Sequence, residues 1–262
     1  MALSLAGMMT GFLAGLLGVA GGGLLVPVLY ETFGAVGVDE EIRMHLALGT
    51  ALAVIIPTST RSFFAHRAKG TVDLALLARI APWLVAGVVV GILIAGIADS
   101  AALRWIWVVA GTVMSLKMVL GRDDWRLGSE LPGHWGVEAF CFLVGIVSVL
   151  LSIGGAIFIV TLLTLYNRPL LQAVSTSSGL GPLVAIPGVV GFAITGWGAP
   201  GLPPLSVGYV SLIGAALIIP ASVLMAPVGV RFAHGIPKRS LELAFAAFLA
   251  LVALRFFVSL VF

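Results

Sequence analysis

Eight stretches of the chain are almost continuously apolar, and the polar residues fall mainly between them. They run at about 2–33, 44–64, 74–98, 102–121, 135–166, 169–195, 206–230 and 239–262. A spanning helix needs roughly 20 apolar residues. Barrel strands alternate in polarity, and these stretches do not. The pattern therefore predicts an all-α polytopic membrane protein, since only helices and closed barrels satisfy their backbone in lipid. Two stretches are interrupted. "GVAGGGLLVP" (Gly18 to Pro27) breaks the first, and "SIGGA" (Ser152 to Ala156) breaks the fifth. Each glycine costs about 1 kcal/mol relative to alanine within a helix. A second pair of breaks is expected near Pro57 and Pro182, because proline removes a helix N–H.

Composition sharpens this picture. Of 262 residues, 60% are hydrophobic and 10% charged, against about 25% charged in soluble domains. Mean hydropathy is +1.18. The net charge of +3 comes without a basic tract, so nucleic-acid binding has no support. Cys141 is the single cysteine and lies in an apolar stretch, which excludes an intrachain disulfide and suits a small buried side chain. The N-terminus lacks a charged n-region and reads as a first membrane segment, not a removed signal.

The longest polar interval, Gly121 to His134, divides the chain into a first repeat (1–121), a linker (122–134) and a second repeat (135–262). "AGLLGVAGGGLLVP" is echoed by "SVLLSIGGAIFIVT" (Ser148 to Thr161), and "ALGTALAVIIP" (Ala47 to Pro57) by "AVSTSSGLGP" (Ala173 to Pro182). A constant offset pairs Pro82 with Pro220, Gly91 with Gly229, Leu103 with Leu241 and Lys117 with Arg255. An internal duplication is expected, as in many transporters.

Lys and Arg concentrate on cytoplasmic loops. Here they cluster in "RSFFAHRAKG" (Arg61 to Gly70), in the linker and in "RFAHGIPKR" (Arg231 to Arg239). Eight plain crossings would put the first and last of these on opposite faces. If each glycine-broken segment enters and returns, each half has three crossings. The repeat is then inverted, the basic loops share the cytoplasmic face, and both termini point outward. Eight plain crossings remain the alternative.

Irregular backbone at membrane depth is tolerated only where protein buries it or water reaches it. A helix restarting after glycines presents orphan amides and a positive dipole end, which suit an anion. The expected substrate-binding residues are Gly18, Gly21, Gly22 and Gly23 at the first break and Ser152, Gly154 and Gly155 at the second. Gly49 and Thr50, with Ser175, Thr176 and Ser177, add backbone space and hydroxyls beside the second pair of breaks. Gly7, Gly11 and Gly15, spaced by four, suit helix packing instead. Arg79, Lys117 and Arg255 lie near segment ends, where long side chains reach the interface. His45 and His66 flank the second segment as interfacial residues. No Asp or Glu sits mid-segment, so a sodium cage or carboxylate relay has little material. No cofactor and no metal site is expected, and no catalytic residue.

At these residues the sequence resembles the TauE/SafE sulfite-exporter family of bacterial membrane permeases. The resemblance rests on "GFLAGLLGVAGGGLLVPVL" (Gly11 to Leu29), on "ALGTAL" (Ala47 to Leu52) and on their echoes. The second copy departs from the family pattern, with "SIGGA" where a third glycine is usual and "VST" where "GTS" is usual. The resemblance implies export of sulfite, sulfoacetate or related organosulfonates across a bacterial inner membrane. The partners are then a small anion and the lipid bilayer. Another anion, the uptake direction, and a membrane subunit of a larger complex are the competing readings. The oligomeric state and coupling ion stay open. A membrane serine hydrolase would need a base beside Ser152 or Ser175 to Ser178, but all four histidines lie at segment ends or in loops.

Overall fold

A computed structural model describes residues 5, 7–9, 12, 22–120, 128, 131, 134–233 and 238–261. Helices α1 (Gly22–Ala35), α2 (Glu40–Ala68), α3 (Leu74–Ile97) and α4 (Ser100–Leu120) precede the linker. After it come α5 (His134–Leu150), α6 (Ala156–Leu165), α7 (Leu170–Ser177) and α8 (Leu180–Thr195). A short hairpin of β1 (Ser206–Val207) and β2 (Val210–Ser211) leads into α9 (Leu212–Ala233), and α10 (Lys238–Val261) closes the chain. The architecture is that of an all-α polytopic membrane protein. Among the described residues, five helices are long and apolar enough to cross: α2, α3, α4, α7 with α8, and α10. At the second glycine break α5 stops at Leu150 and α6 starts at Ala156; at the first, α1 starts at Gly22, and residues 13–21 lie outside the described residues. α1 has 14 residues and α6 has 10. At 1.5 Å per residue these reach only about 21 and 15 Å, short of a hydrocarbon core of about 30 Å.

The centre of the molecule is α2. Leu46, Ala47, Leu48, Ala51 and Leu52 are fully buried, and α1, α4, α5, α7, α8, α9 and β2 all pack on this helix. A helix that is apolar on every side belongs in such a place. This burial corrects one expectation, because α2 runs unbroken through Pro57. Proline removes one hydrogen bond, that to Ala53 O, and the turn beyond it is reinforced by hydroxyls, as membrane helices permit. Ser59 Oγ donates to Ile55 O at 2.7 Å, and Thr58 Oγ1 donates to the same carbonyl at 2.9 Å. In the second half the interruption lies at Ser178–Gly179, ahead of Pro182. Pro182 falls in the first turn of α8, where its missing N–H costs nothing.

The stretch at 206–230 also differs from a single helix. Its first six residues are the hairpin, turned at Gly208 with φ +54. A side chain at Gly208 would run into Ala193 O, so the turn lies directly on α8.

Segments from before the linker pack on segments from after it. α3 lies on α5, with Gly87, Gly91 and Gly145 removing the side chains that would separate the two backbones. A Cβ on Gly7 would lie 2.9 Å from Ala221 Cβ, so Gly7 packs tightly on α9; Gly11 and Gly15 lie outside the described residues. α4 packs on α10, where Ser115 Oγ donates to Ala246 O at 2.9 Å. α2 crosses α8, with Leu52 against Gly188.

Candidate functional site

The two glycine breaks meet. A Cβ on Gly23, at the start of α1, would lie 3.5 Å from Ile153 Cδ1 in the second break. At that break α5 ends in a turn carrying Ser152 at φ 49 and Gly155 at φ +72. Glycine accepts the left-handed conformation freely, whereas Ser152 holds it against a steric cost. Ser152 Oγ donates to Leu48 O at 2.9 Å, which ties the strained turn to the first third of α2. Gly154 faces Gly181 of α8, where a Cβ would lie 3.3 Å from the Gly181 Cα and 3.9 Å from Ile55 Cγ2. Four elements thus converge on one turn: α1, α2, α6 and α8.

Helix α6 restarts at Ala156 behind Gly155, and no side chain caps it. The first intrahelical bonds there are Phe158 and Ile159 N–H to Gly155 O. The amides of Ala156 and Ile157 precede them, at the positive end of the helix. Ser148 is fully buried, and its Oγ lies 3.1 Å from where a Gly155 side chain would begin. That hydroxyl has no hydrogen-bond partner among the described residues. Sequence reasoning passed over Ser148. Its signal was spacing, since Ser148 lies four residues, about one helical turn, before Ser152.

The other expected residues make different contacts along α2. Gly49 leaves room for the hairpin, because a side chain there would run into Tyr209 O. Thr50 Oγ1 accepts the Ser211 N–H at 3.0 Å, and Ser211 Oγ accepts the Gly214 N–H at 3.1 Å, so both hydroxyls seat the hairpin and the start of α9. At the far end of α2, Ser175 Oγ is 3.1 Å from His66 Nδ1. Thr176 Oγ1 accepts the Asp73 N–H at 3.0 Å. Thr50 and His66 are separated by about 24 Å along the helix, too far to hold one small anion together. Ser177 is fully buried with an unpartnered Oγ among the described residues. Gly22 opens α1; Gly18 and Gly21 lie outside the described residues.

The charged side chains near helix ends are engaged. Arg255 Nε is 3.2 Å from a Glu31 oxygen, and Arg79 Nε is 3.8 Å from Glu138. Lys117 Nζ donates to Thr161 Oγ1 of α6 at 3.1 Å. Arg104 is buried and pairs with Glu40. Its guanidinium also donates to Ser259 Oγ at 3.3 Å and lies over the Tyr30 ring. His45 is not interfacial. It is 5% exposed, beneath the ring of Tyr209. Among the described residues no cluster of acidic, histidine or cysteine side chains suits a metal ion.

A family model described as "Sulfite exporter TauE/SafE" matches residues 3–256, nearly the whole chain. The chain belongs to the TauE/SafE family. Two relatives agree in length and kind. A "Probable membrane transporter protein" of Haemophilus influenzae is 32% identical over 255 residues, covering 97% of this chain and 96% of the relative. A protein of the same description from Methanocaldococcus jannaschii is 25% identical over 266 residues, covering 96% and 93%. No solved structure matches significantly. The chain is a multi-pass membrane transporter, and the glycine turn at Ser152–Gly155 belongs to the echo that carries the family resemblance.

Proposed function

We propose that the chain exports small sulfur-containing anions, namely sulfite, sulfoacetate or related organosulfonates, across a bacterial inner membrane. The observation that carries this reading is the meeting of the two breaks, with Gly23 against Ile153 and Gly154 against Gly181. Donors gather there and acids do not. The amides of Ala156 and Ile157, the Ser148 hydroxyl and the backbone of the glycines face the turn, and neither break carries a carboxylate. An anion is the ligand such a set favours. Sulfur chemistry and outward direction come from the family's description, "Sulfite exporter".

On this reading the halves form an inverted repeat and the short helices α1, α5 and α6 re-enter. Support comes from helix length and from cross-packing. α3 lies on α5 as the Gly7 segment lies on α9, and α4 pairs with its counterpart α10. The substrate site is then Gly18, Gly21, Gly22, Gly23, Ser152, Gly154 and Gly155, joined by Ser148. Gly49 and Thr50 hold the outer end shut, and Ser175 and Thr176 hold the cytoplasmic end. Ser177 lines the path between.

The test is efflux from proteoliposomes loaded with radiolabelled sulfite or sulfoacetate, with phosphate and acetate as controls. Sulfur anions should leave fastest from vesicles whose interior corresponds to the cytoplasmic face. Flux of phosphate or acetate without flux of either sulfur anion would refute the substrate class. Flux confined to the opposite direction would refute export.

A further inference from the structure

His45 lies just over one turn inside α2, which begins at Glu40. Its Nε2 is 3.0 Å from Ala95 O and 3.1 Å from Ala98 O. Carbonyl oxygens only accept, so Nε2 carries the hydrogen and Nδ1 is the free basic nitrogen. Nδ1 is buried and has no hydrogen-bond partner among the described residues. Three features around the ring favour a cation. Ala95 and Ala98 stand at the C-terminal end of α3, the negative end of its dipole. Asp99, an acid, follows directly in the chain. The Tyr209 ring covers the imidazole, with centroids 4.8 Å apart and planes tilted by 32°. What the closed form lacks is an acceptor for a second N–H.

We propose that His45 is a proton-binding site that controls the outer end of the transporter, with the hairpin of residues 206–211 as the moving part. The proposal rests on the transport reading and its orientation. With the hairpin seated, Tyr209 caps the neutral ring, and Thr50 holds Ser211. A proton taken up at Nδ1 leaves an N–H that only water can satisfy, so the protonated protein populates the form with the hairpin lifted. Among the described residues, few titratable groups stand on the elements around the ring. Tyr209 and Asp99 are its neighbours, and Glu41 and Arg43 lie on its own helix. Tyr30 of α1 and Arg104 of α4 are engaged with Arg43 and Glu40 respectively. α7 and α8 carry no titratable side chain. External acid would therefore open the outer side, which suits an energised bacterial membrane.

The test needs no substrate. In a Cys141→Ser background in nanodiscs, Val210→Cys reports the underside of the hairpin (3% exposed), and Trp197→Cys is an exposed reference (76% exposed). The ratio of their maleimide labelling rates cancels the common effect of pH on thiols. From about pH 7.5 to about pH 5.5 the ratio should rise several-fold, across the range in which imidazoles commonly titrate. In His45→Gln it should stay flat. An unchanged ratio with His45 present, or the same rise in His45→Gln, overturns the proposal. If His45→Gln does not fold, nitrogen NMR of a protein with His45 as its sole histidine decides. A single Nε2–H tautomer at high pH that gains a second N–H on acidification supports the site; a ring that does not titrate overturns it. Failed anion flux with an intact labelling response would instead sink the transport reading alone.

Discussion

Gly23→Ala separates a glycine kept for substrate from one kept for packing. The new methyl would meet Ile153 Cδ1 at 3.5 Å and Cγ1 at 3.6 Å, which is ordinary contact. The residue sits in the first turn of α1, where alanine is favoured over glycine by up to about 1 kcal/mol. Nothing in the folded protein opposes the change, so thermal stability should hold or rise slightly. The methyl does occupy the space through which an anion would approach the backbone. Transport should therefore fall at least about tenfold, which corresponds to a loss of about 1.4 kcal/mol of binding in the loaded state. Gly49→Ala is the contrast. Its methyl would collide with Tyr209 O, an overpacking that costs about 1–3 kcal/mol. There, stability and transport should fall together. The assays are melting of detergent-purified protein by size-exclusion fluorescence and sulfite efflux from liposomes. Normal efflux with Gly23→Ala would refute a close backbone approach at this break.

Three further outcomes are expected. Ser148→Ala should weaken anion transport while leaving melting unchanged or raised, because the hydroxyl it removes is buried without a partner; unchanged transport would exclude Ser148 from the site. Cysteines at Ala68 and at Gly235, in a Cys141→Ser background, should both label from the cytoplasmic side; labelling from opposite faces would restore eight plain crossings. Export should follow a clamped membrane potential with the pH gradient collapsed, at a rate scaled by the common pH through His45; flux that ignores the potential would mean an electroneutral proton-coupled cycle.

What the sequence made legible follows from how strongly each feature is encoded locally. The glycine breaks were visible because a run of glycines has few other uses inside a greasy segment. Segment ends were visible because charges are rare enough to mark them. The break expected at Pro57 failed because a helix held from all sides keeps its course despite one lost bond. The hairpin was hidden because "SVGYVS" carries no charge and runs straight into the apolar helix that follows it, and only Gly208 marks the turn. His45 was misplaced because its segment was started at Met44. Glu40 and Glu41 are in fact the first turn of α2, an arrangement the helix dipole favours. That puts the ring inside the protein. The contacts that place Ser175 on His66 and Thr176 on Asp73 join residues more than a hundred positions apart. No local pattern encodes such pairs.

The three clusters along α2 acquire a common logic once their energies are compared. The N-terminal part of α2 is held by Thr50 to Ser211 and by His45 to the end of α3. The C-terminal end of α2 is held by Ser175 to His66 and by Thr176 to Asp73. A hydrogen bond of this kind contributes about 0.5–1.5 kcal/mol net, so each set supplies about 1–3 kcal/mol. On the proposed transport reading, two ends held by comparable sums let either open while the other stays shut. Ser152 fixes the glycine turn to Leu48 O, between His45 and Thr50 on α2, so a shift of α2 carries the turn with it. A dianion crossing about 100 mV gains about 4.6 kcal/mol. That exceeds the polar contacts at either end, so the potential alone is large enough to offset their opening. The stiff elements are the crossing helices and the weak ones are the side-chain bonds at the ends. Strengthening one end is therefore the change that should stall the cycle, more than any substitution on the lipid-facing surface of α4 or α10.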